Sequence, residues 1–229
     1  MIEQIVPTKV VTTEAFSDPP DSWLFPEETE AIARAVDKRR REFTTARACA
    51  REALARLGFE PVAIARGPGG APRWPDGVTG SITHCSGYRA CAVARTRDAD
   101  SIGIDAEPNE ATPDGVLRTV SGDAERAHLA GLPAARPGIH WDRLLFSAKE
   151  SVYKAWYPLT GSWLGFEDAS ISIDPLRETF TARLRVPGPV INGRRRDVFE
   201  GRWIMREGLI ATAVVISSAP PSEKPLGNA

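Results

Sequence analysis

Residues 101–107 read Ser101-Ile102-Gly103-Ile104-Asp105-Ala106-Glu107, and their polar and apolar side chains alternate with a period of two. Such alternation marks a β-strand with one face in a core and the other free for chemistry. Ile102, Ile104 and Ala106 take the core face, while Asp105 and Glu107 share the opposite one, roughly 6.5 Å apart along the chain. Further on the period changes: over 141–156, Leu144, Leu145, Ala148, Val152, Ala155 and Trp156 fall on one stripe of a helix, which Pro158 is expected to stop. Strands and helices of this kind in one chain give an α+β fold class.

The pattern extends in both directions. Ile32, Val36, Phe43, Ala46, Ala50, Leu54 and Leu57 recur at helical spacing between Pro26 and Gly58, and Thr44-Thr45 predicts a division into two helices. Strands are expected over 62–66, 80–85 and 90–95, with turns at 67–72 and 86–87 and a polar turn over 96–100. A loop-rich, partly helical stretch runs to 139, and strands follow over 169–174, 180–186, 197–205 and 209–217. The chain then divides into an irregular acidic lead-in (1–25), an N-terminal lobe (26–104), a C-terminal lobe (105–217) and a flexible tail (218–229) rich in Pro and Ser.

Composition narrows the function. At 229 residues, 42% hydrophobic and 26% charged, the chain is of ordinary globular character. No run approaches the roughly 20 apolar residues of a membrane span, and the first residues lack a signal-peptide pattern, so a cytoplasmic protein with no membrane partner is expected. Cys49, Cys85 and Cys91 form no CxxC pair, and His84, His128 and His140 are scattered. A bound metal would therefore need carboxylate oxygens, which favours a hard ion such as Mg2+. Of the basic residues 24 are arginine and five lysine, yet Lys149 and Lys154 share one helix.

Asp105 and Glu107 can converge on a cation, although Asp-x-Glu at a strand end also describes a solvated pair. Glu150 and Lys154 are either a functional pair or the ordinary surface pair worth a few tenths of a kcal/mol. The rarity of lysine bears on that choice, because lysine releases a proton at accessible pH and arginine does not. Residues 38–56 carry seven basic side chains against Glu42 and Glu52, which reads as a phosphate-binding surface or a solvated helix face. His84 and Cys85 are strand neighbours that point to opposite faces, so they form no nucleophilic dyad. Residues 67–70 lack the GxxxxGK[ST] pattern and read as a turn.

Taken in order, three blocks resemble the Sfp-type 4'-phosphopantetheinyl transferases, most of all the actinobacterial PptT-like enzymes that activate polyketide, fatty-acid and nonribosomal peptide synthases. They are Trp74-Pro75-Asp76-Gly77 with Gly80-Ser81-Ile82-Thr83-His84-Cys85-Ser86-Gly87-Tyr88; Ile102-Gly103-Ile104-Asp105-Ala106-Glu107; and Phe146-Ser147-Ala148-Lys149-Glu150-Ser151-Val152-Tyr153-Lys154-Ala155-Trp156. The G-I-D-x-E and K-E-x-x-x-K signatures are weak singly and specific together.

This resemblance implies two similar α/β lobes in a pseudo-twofold arrangement, with coenzyme A and Mg2+ in the cleft between them. It implies transfer of the 4'-phosphopantetheine arm from coenzyme A to a serine of apo acyl or peptidyl carrier proteins, with release of adenosine 3',5'-bisphosphate, by a monomer with no nucleic-acid partner. On the same footing Asp105, Glu107 and Glu150 hold the metal, Glu150 is the base and Lys154 balances charge on the leaving group. Arg39, Arg47, Lys149, His84 and Thr83 would contact coenzyme A together with Asp105, Glu150 and Lys154, the 3'-phosphate falling to Arg47 and His84. Gly69 stands where many relatives carry a basic residue, and Arg66 is expected to cover that role. The carrier would dock on arginine clusters or on aromatics near Trp156, Tyr157 and Trp163. Two rival readings are a coenzyme A or nucleotide binder without turnover, and an Arg-rich nucleic-acid binder. The intact Asp105, Glu107, Glu150 and Lys154 count against the first, and the net charge of −1 without a nucleic-acid reading motif against the second.

Overall fold

In the computed structural model, which describes residues 1–218, the alternating stretch is strand β4 (Ala99–Pro108). Before it come β1 (Val11–Ala15), helices α1 (Pro26–Glu30) and α2 (Asp37–Arg56), and the hairpin of β2 (Val78–Cys85) and β3 (Tyr88–Arg95). After it come α3 (Val116–Val120), α4 (Asp123–Ala135) and the long α5 (Trp141–Thr160). Strands β5 (Ala169–Asp174), β6 (Thr179–Leu184), β7 (Val190–Ile191), β8 (Arg194–Arg195), β9 (Val198–Arg206) and β10 (Leu209–Ser217) complete the fold. The strands form an antiparallel three-stranded sheet in the order β1-β3-β2, a five-stranded sheet in the order β4-β10-β9-β6-β5, and the small β7-β8 hairpin. No helix among the described residues is long and apolar enough to cross a membrane.

The alternation in each strand decides the layering. On β3, Cys91 and Val93 pack toward Ala50 and Leu54 of α2, while Tyr88, Ala90 and Ala92 turn to the other face and meet Ile102 and Ile104 of β4. Ser101, Gly103 and Asp105 of β4 face α5, whose Leu144, Leu145 and Val152 pack on Phe180, Phe199 and Trp203 of the five-stranded sheet. Helix, sheet, sheet and helix thus stack around three apolar clusters. Gly103 lets α5 approach: a Cβ there would lie 1.9 Å from Ser151 O and 2.5 Å from Ala155 N. Ser101 Oγ donates to Ala155 O (2.7 Å) and locks the same contact.

The two sheets are joined by side chains. The N–H groups of Ile104 and Ala106, on the edge of β4 away from β10, donate to Ser81 Oγ and Thr83 Oγ1 of β2, each at 3.1 Å. A buried glutamate fastens each half in the same manner. Glu28, the third residue of α1, accepts the N–H groups of Phe25 and Ile64 (both 2.9 Å) and pairs with Arg51 of α2 at 3.0 Å. Glu125, the third residue of α4, accepts the N–H groups of Gly122 and Ile171 (both 2.8 Å) and pairs with Lys149 of α5 at 3.0 Å. The halves share this latch and differ in strand number.

Several sequence expectations change. The first 25 residues are no irregular lead-in: β1 joins the three-stranded sheet, Ile2 and Ile5 are buried, and Asp18 binds Arg89 and Thr45, both at 2.8 Å. The lobe boundary expected between 104 and 105 falls inside β4, which pairs with β10 along its length. Thr44 and Thr45 lie within α2, because their hydroxyls find Arg40 O and Asp18 without breaking the helix; the interruption lies at 31–36 instead. No strand forms over 62–66, where the extended backbone of Ile64 is held by Glu28 and Arg47. Pro158 does not stop α5, since one missing N–H in the last turn is tolerated and the helix ends at left-handed Gly161 (φ 64°). The tail expected over 218–229 lies, from 219 onward, outside the described residues.

Gly103→Ala is expected to cost about 3 kcal/mol, measured by denaturant titration, because the methyl group forces α5 off β4. Wild-type stability would show that the helix does not rest on this residue.

Candidate active site

The close approach of α5 to β4 puts Lys154 and Asp105 in contact. Lys154 Nζ donates to Asp105 Oδ1 (2.7 Å) and to Ile104 O (3.1 Å). Thr83 Oγ1 donates to the same Oδ1 at 3.3 Å, while Asp105 Oδ2 is buried and has no hydrogen-bond partner among the described residues. Two residues on, Glu107 Oε2 accepts from Arg143 Nη1 (3.1 Å). Burial and the charge of Asp105 push the Glu107 carboxyl up to about 7 against the opposing pull of Arg143 and Lys154. Glu150, one turn before Lys154, is half-buried and forms no hydrogen bond among the described residues; burial, then the charge of Asp105, raises its proton affinity. These three carboxylates were expected to form a metal shell, but no three such side chains stand close enough among the described residues to be a ready-made one. The cations explain the spacing, since Lys154 occupies Asp105 and Arg143 occupies Glu107.

Beside this group lies a cavity of about 840 Å³, walled by Gly69, Trp74, Ser81, Glu150, Tyr153 and Lys154 among others. Its volume is that of a sizeable small-molecule site. The loop over 67–72 rests on α5: Gly69 has φ 63°, and a Cβ there would meet the Tyr157 ring at 2.5 Å. A side chain at 69 would displace that ring, which accounts for the glycine. Arg66 is exposed and does not line the cavity, so the basic group this loop offers is Arg73 instead.

Positive charge collects next to the carboxylates. His84 takes a hydrogen bond with Arg39 Nη1, and its Nδ1 lies 3.4 Å from Glu42. Burial, then the charges of Arg39, Lys154, Arg89 and Arg47, push His84 down to about 4, so it is neutral at physiological pH within a cationic surround. Arg47 is buried, with Nε donating to Ile64 O (2.9 Å) and its guanidinium 4.2 Å from the Phe43 ring centroid; burial lowers it to about 10, and it remains charged.

Two expected coenzyme contacts prove structural. Lys149 is 4% exposed, points away from Lys154, and is saturated by Glu125, Phe166 O (2.7 Å) and Ala169 O (3.0 Å). Thr83 is buried, with its hydroxyl committed to Asp105 and the Ala106 N–H. Trp156, expected near a docking surface, is buried too, whereas Trp163 is exposed. The residues did not single out Arg143, Arg73 or Tyr153, and pointed to Tyr157 only as an aromatic near a docking surface, whereas it lines the cavity. Arg143 was legible in principle, because it precedes Glu150 by two helical turns and shares its face.

A carboxyl with a folded pKa near 7 instead of the ordinary 4.5 adds stability at acid pH that is lost as pH rises through about 7. Glu107→Gln is therefore expected to melt above wild type at about pH 8 in the absence of divalent cations, and to match it near pH 5. Parallel melting curves at both pH values would count against this electrostatic reading. Lys149→Met is expected to cost about 3 kcal/mol in stability, since it strands buried Glu125, with no change in coenzyme A affinity of the folded protein. Weakened affinity at unchanged stability would return Lys149 to the site.

Comparison with known proteins agrees with this geometry. The family model described as the 4'-phosphopantetheinyl transferase N-terminal domain matches residues 27–94, and that of the 4'-phosphopantetheinyl transferase superfamily matches residues 101–194. The chain is 60% identical over 221 residues to 4'-phosphopantetheinyl transferase Svp of Streptomyces mobaraensis, covering 95% of this chain and 90% of that one. It is 48% identical over 208 residues to 4'-phosphopantetheinyl transferase PptT of Mycobacterium tuberculosis (89% and 90% covered) and 50% identical over 222 residues to 4'-phosphopantetheinyl transferase Npt of Nocardia iowensis (93% and 99% covered). With Asp105, Glu107, Glu150 and Lys154 gathered where β4 meets α5, the chain belongs to the 4'-phosphopantetheinyl transferases.

Proposed function

We propose that the protein moves the 4'-phosphopantetheine arm of coenzyme A to a serine hydroxyl of apo acyl and peptidyl carrier proteins, with Mg2+ held by Asp105, Glu107 and Glu150, and releases adenosine 3',5'-bisphosphate. The observation that carries this reading is the Lys154 contact with Asp105 beside the buried Asp105 Oδ2, which has no partner among the described residues, at the edge of the large cavity. The donor set fits the ion: three carboxylates supply hard oxygens, and one buried oxygen lacks a partner. Burial, then the charge of Asp105, raises the proton affinity of Glu107, and a cation bound beside both carboxylates would offset that charge. A bound divalent cation would neutralise diphosphate oxygens as the bond between the phosphates breaks.

The chain's own groups supply the rest. Glu150, with its raised proton affinity, takes the serine proton. The serine oxygen bonds to the phosphorus that carries pantetheine, the bond from that phosphorus to the adenosine phosphate oxygen breaks, and its electron pair leaves with adenosine 3',5'-bisphosphate. Lys154, one turn along the helix, holds positive charge beside the reacting diphosphate. The cationic surround of His84, with Arg39 and Arg47, suits the remaining phosphate of the coenzyme. A monomer acting in the cytoplasm, where coenzyme A is available, is part of the same proposal.

Incubation with Mg2+, coenzyme A and an apo carrier protein is expected to add the mass of one phosphopantetheine arm. No gain on carriers from fatty-acid, polyketide and peptide systems would refute the reading. Glu150→Gln should fold normally and lose about 10²- to 10⁴-fold in kcat; a wild-type rate would remove Glu150 as the base.

A further inference from the structure

The active site uses none of the arginines of residues 183–206, the chain's second strongly basic stretch after residues 38–56. Arg183, Arg185, Arg194, Arg195, Arg196, Arg202 and Arg206 stand there against Asp197 and Glu200, a surplus of five positive charges in a chain of net charge −1. All seven are exposed, and among the described residues none forms an ion pair or a side-chain hydrogen bond. Several arginines elsewhere on this protein are paired with acids, as at Arg51, Arg89, Arg126, Arg136 and Arg143. Seven exposed guanidinium groups without protein partners among the described residues offer a cationic surface to an external anion.

The hairpin that carries the central three is held firmly. Gly188 crosses so close to the returning strand that a Cβ would lie 1.9 Å from Arg196 O, and its N–H donates to Asp197 Oδ1 (2.8 Å). The Leu184 N–H donates to Asp197 O (2.8 Å), and the Arg196 N–H to Pro189 O (2.9 Å). The hairpin is also tied to the active-site side of the molecule. The Arg185 N–H donates to Asp168 O (2.7 Å) in the turn Phe166–Asp168, and Phe166 lines a small cavity shared with Glu150 and Tyr153. The backbone leading into the hairpin is thus bonded to the turn that carries Phe166.

We propose that the β7-β8 hairpin, with Arg194, Arg195 and Arg196 and the flanking Arg183 and Arg185, is the docking surface for an acidic face of the protein that receives the phosphopantetheine arm. This inference rests on the transferase reading and adds where the acceptor binds. An acidic protein fits better than a nucleic acid because the hairpin also presents Val190, 64% exposed, and arginine interleaved with exposed apolar surface is the composition of a protein interface. Outside this segment the chain is net acidic, which would repel a long polyanion. Opposed charge at such a patch acts mainly on association, so its signature is a salt-dependent kcat/KM.

The test is the triple variant Arg194→Glu, Arg195→Glu, Arg196→Glu, with the triple Arg→Lys variant as a control for charge. With an acidic apo carrier protein at low salt, the glutamate variant is expected to lose about tenfold or more in kcat/KM, through KM, and the loss should shrink at high salt. Its melting temperature and its coenzyme A affinity by calorimetry should equal those of wild type, and the lysine variant should retain most of the rate. Unchanged kcat/KM and salt dependence in the glutamate variant, while wild type turns over, would overturn the inference and leave the transferase reading intact. Loss of duplex DNA binding in that variant with unaltered carrier kinetics would overturn it in favour of a nucleic-acid surface. A wild-type protein that modifies no carrier would take down the transferase reading, and this inference with it.

Discussion

The missing Cβ at Gly103 is the constraint on which the site depends. Because nothing projects from β4 at that position, the backbone of α5 lies directly against the strand at Ser151 and Ala155. Glu150 and Lys154 flank that contact, so the point of closest approach is also the point where Lys154 reaches Asp105. A helix held farther out by an ordinary side chain would leave Lys154 short of Ile104 O and Asp105. The buried carboxylate would then have no counter-charge, and burial without compensation is costly.

The same economy joins the two halves. Ser81 and Thr83 occupy alternate positions of β2, and the N–H groups of Ile104 and Ala106 occupy alternate positions of β4, so two hydroxyls meet two donors in register. Thr83 then donates its hydroxyl hydrogen bond to Asp105, which couples the seam between the sheets to the site. Glu28 and Glu125 secure the outer elements by equivalent means, each with two backbone donors and one cation from the long helix of its half. A carboxylate with three such donors is held in one orientation in a buried position. This pairing is why Lys149, one position before the proposed base, belongs to the framework.

The charge distribution divides in three. Cations paired with buried carboxylates hold the fold; those around His84 create a positive potential with no acid to consume it fully; and those of the β7-β8 hairpin face solvent without partners. The net charge of −1 averages over these roles and describes none of them. At two of its five positions lysine answers a separate need. Lys154 needs a compact ammonium that reaches a carbonyl and a carboxylate together, and Lys149 needs three donors directed at Glu125, Phe166 O and Ala169 O.

Much of this was legible in the residues themselves. The period of two over 101–107 placed Asp105 and Glu107 on one face, and the helical stripe of 141–156 placed Glu150 and Lys154 a turn apart, since side-chain direction along a strand or helix is a local property of the backbone. The alternating runs that became β2, β3, β5, β6, β9 and β10 were visible for the same reason. What local periodicity cannot carry is the identity of the partner across space. Thr45 looked like a helix break until Asp18 took its hydroxyl, 62–66 looked like a strand until Glu28 and Arg47 claimed Ile64, and Lys149 looked like a phosphate ligand until Glu125 met it. The sequence by itself determined the element types, the reactive carboxylates and the family signatures. The tertiary structure alone decided which charges are spent on the fold and which remain for substrate, because a charge is neutralised by whatever group packing brings within a few ångströms of it, however distant in the chain.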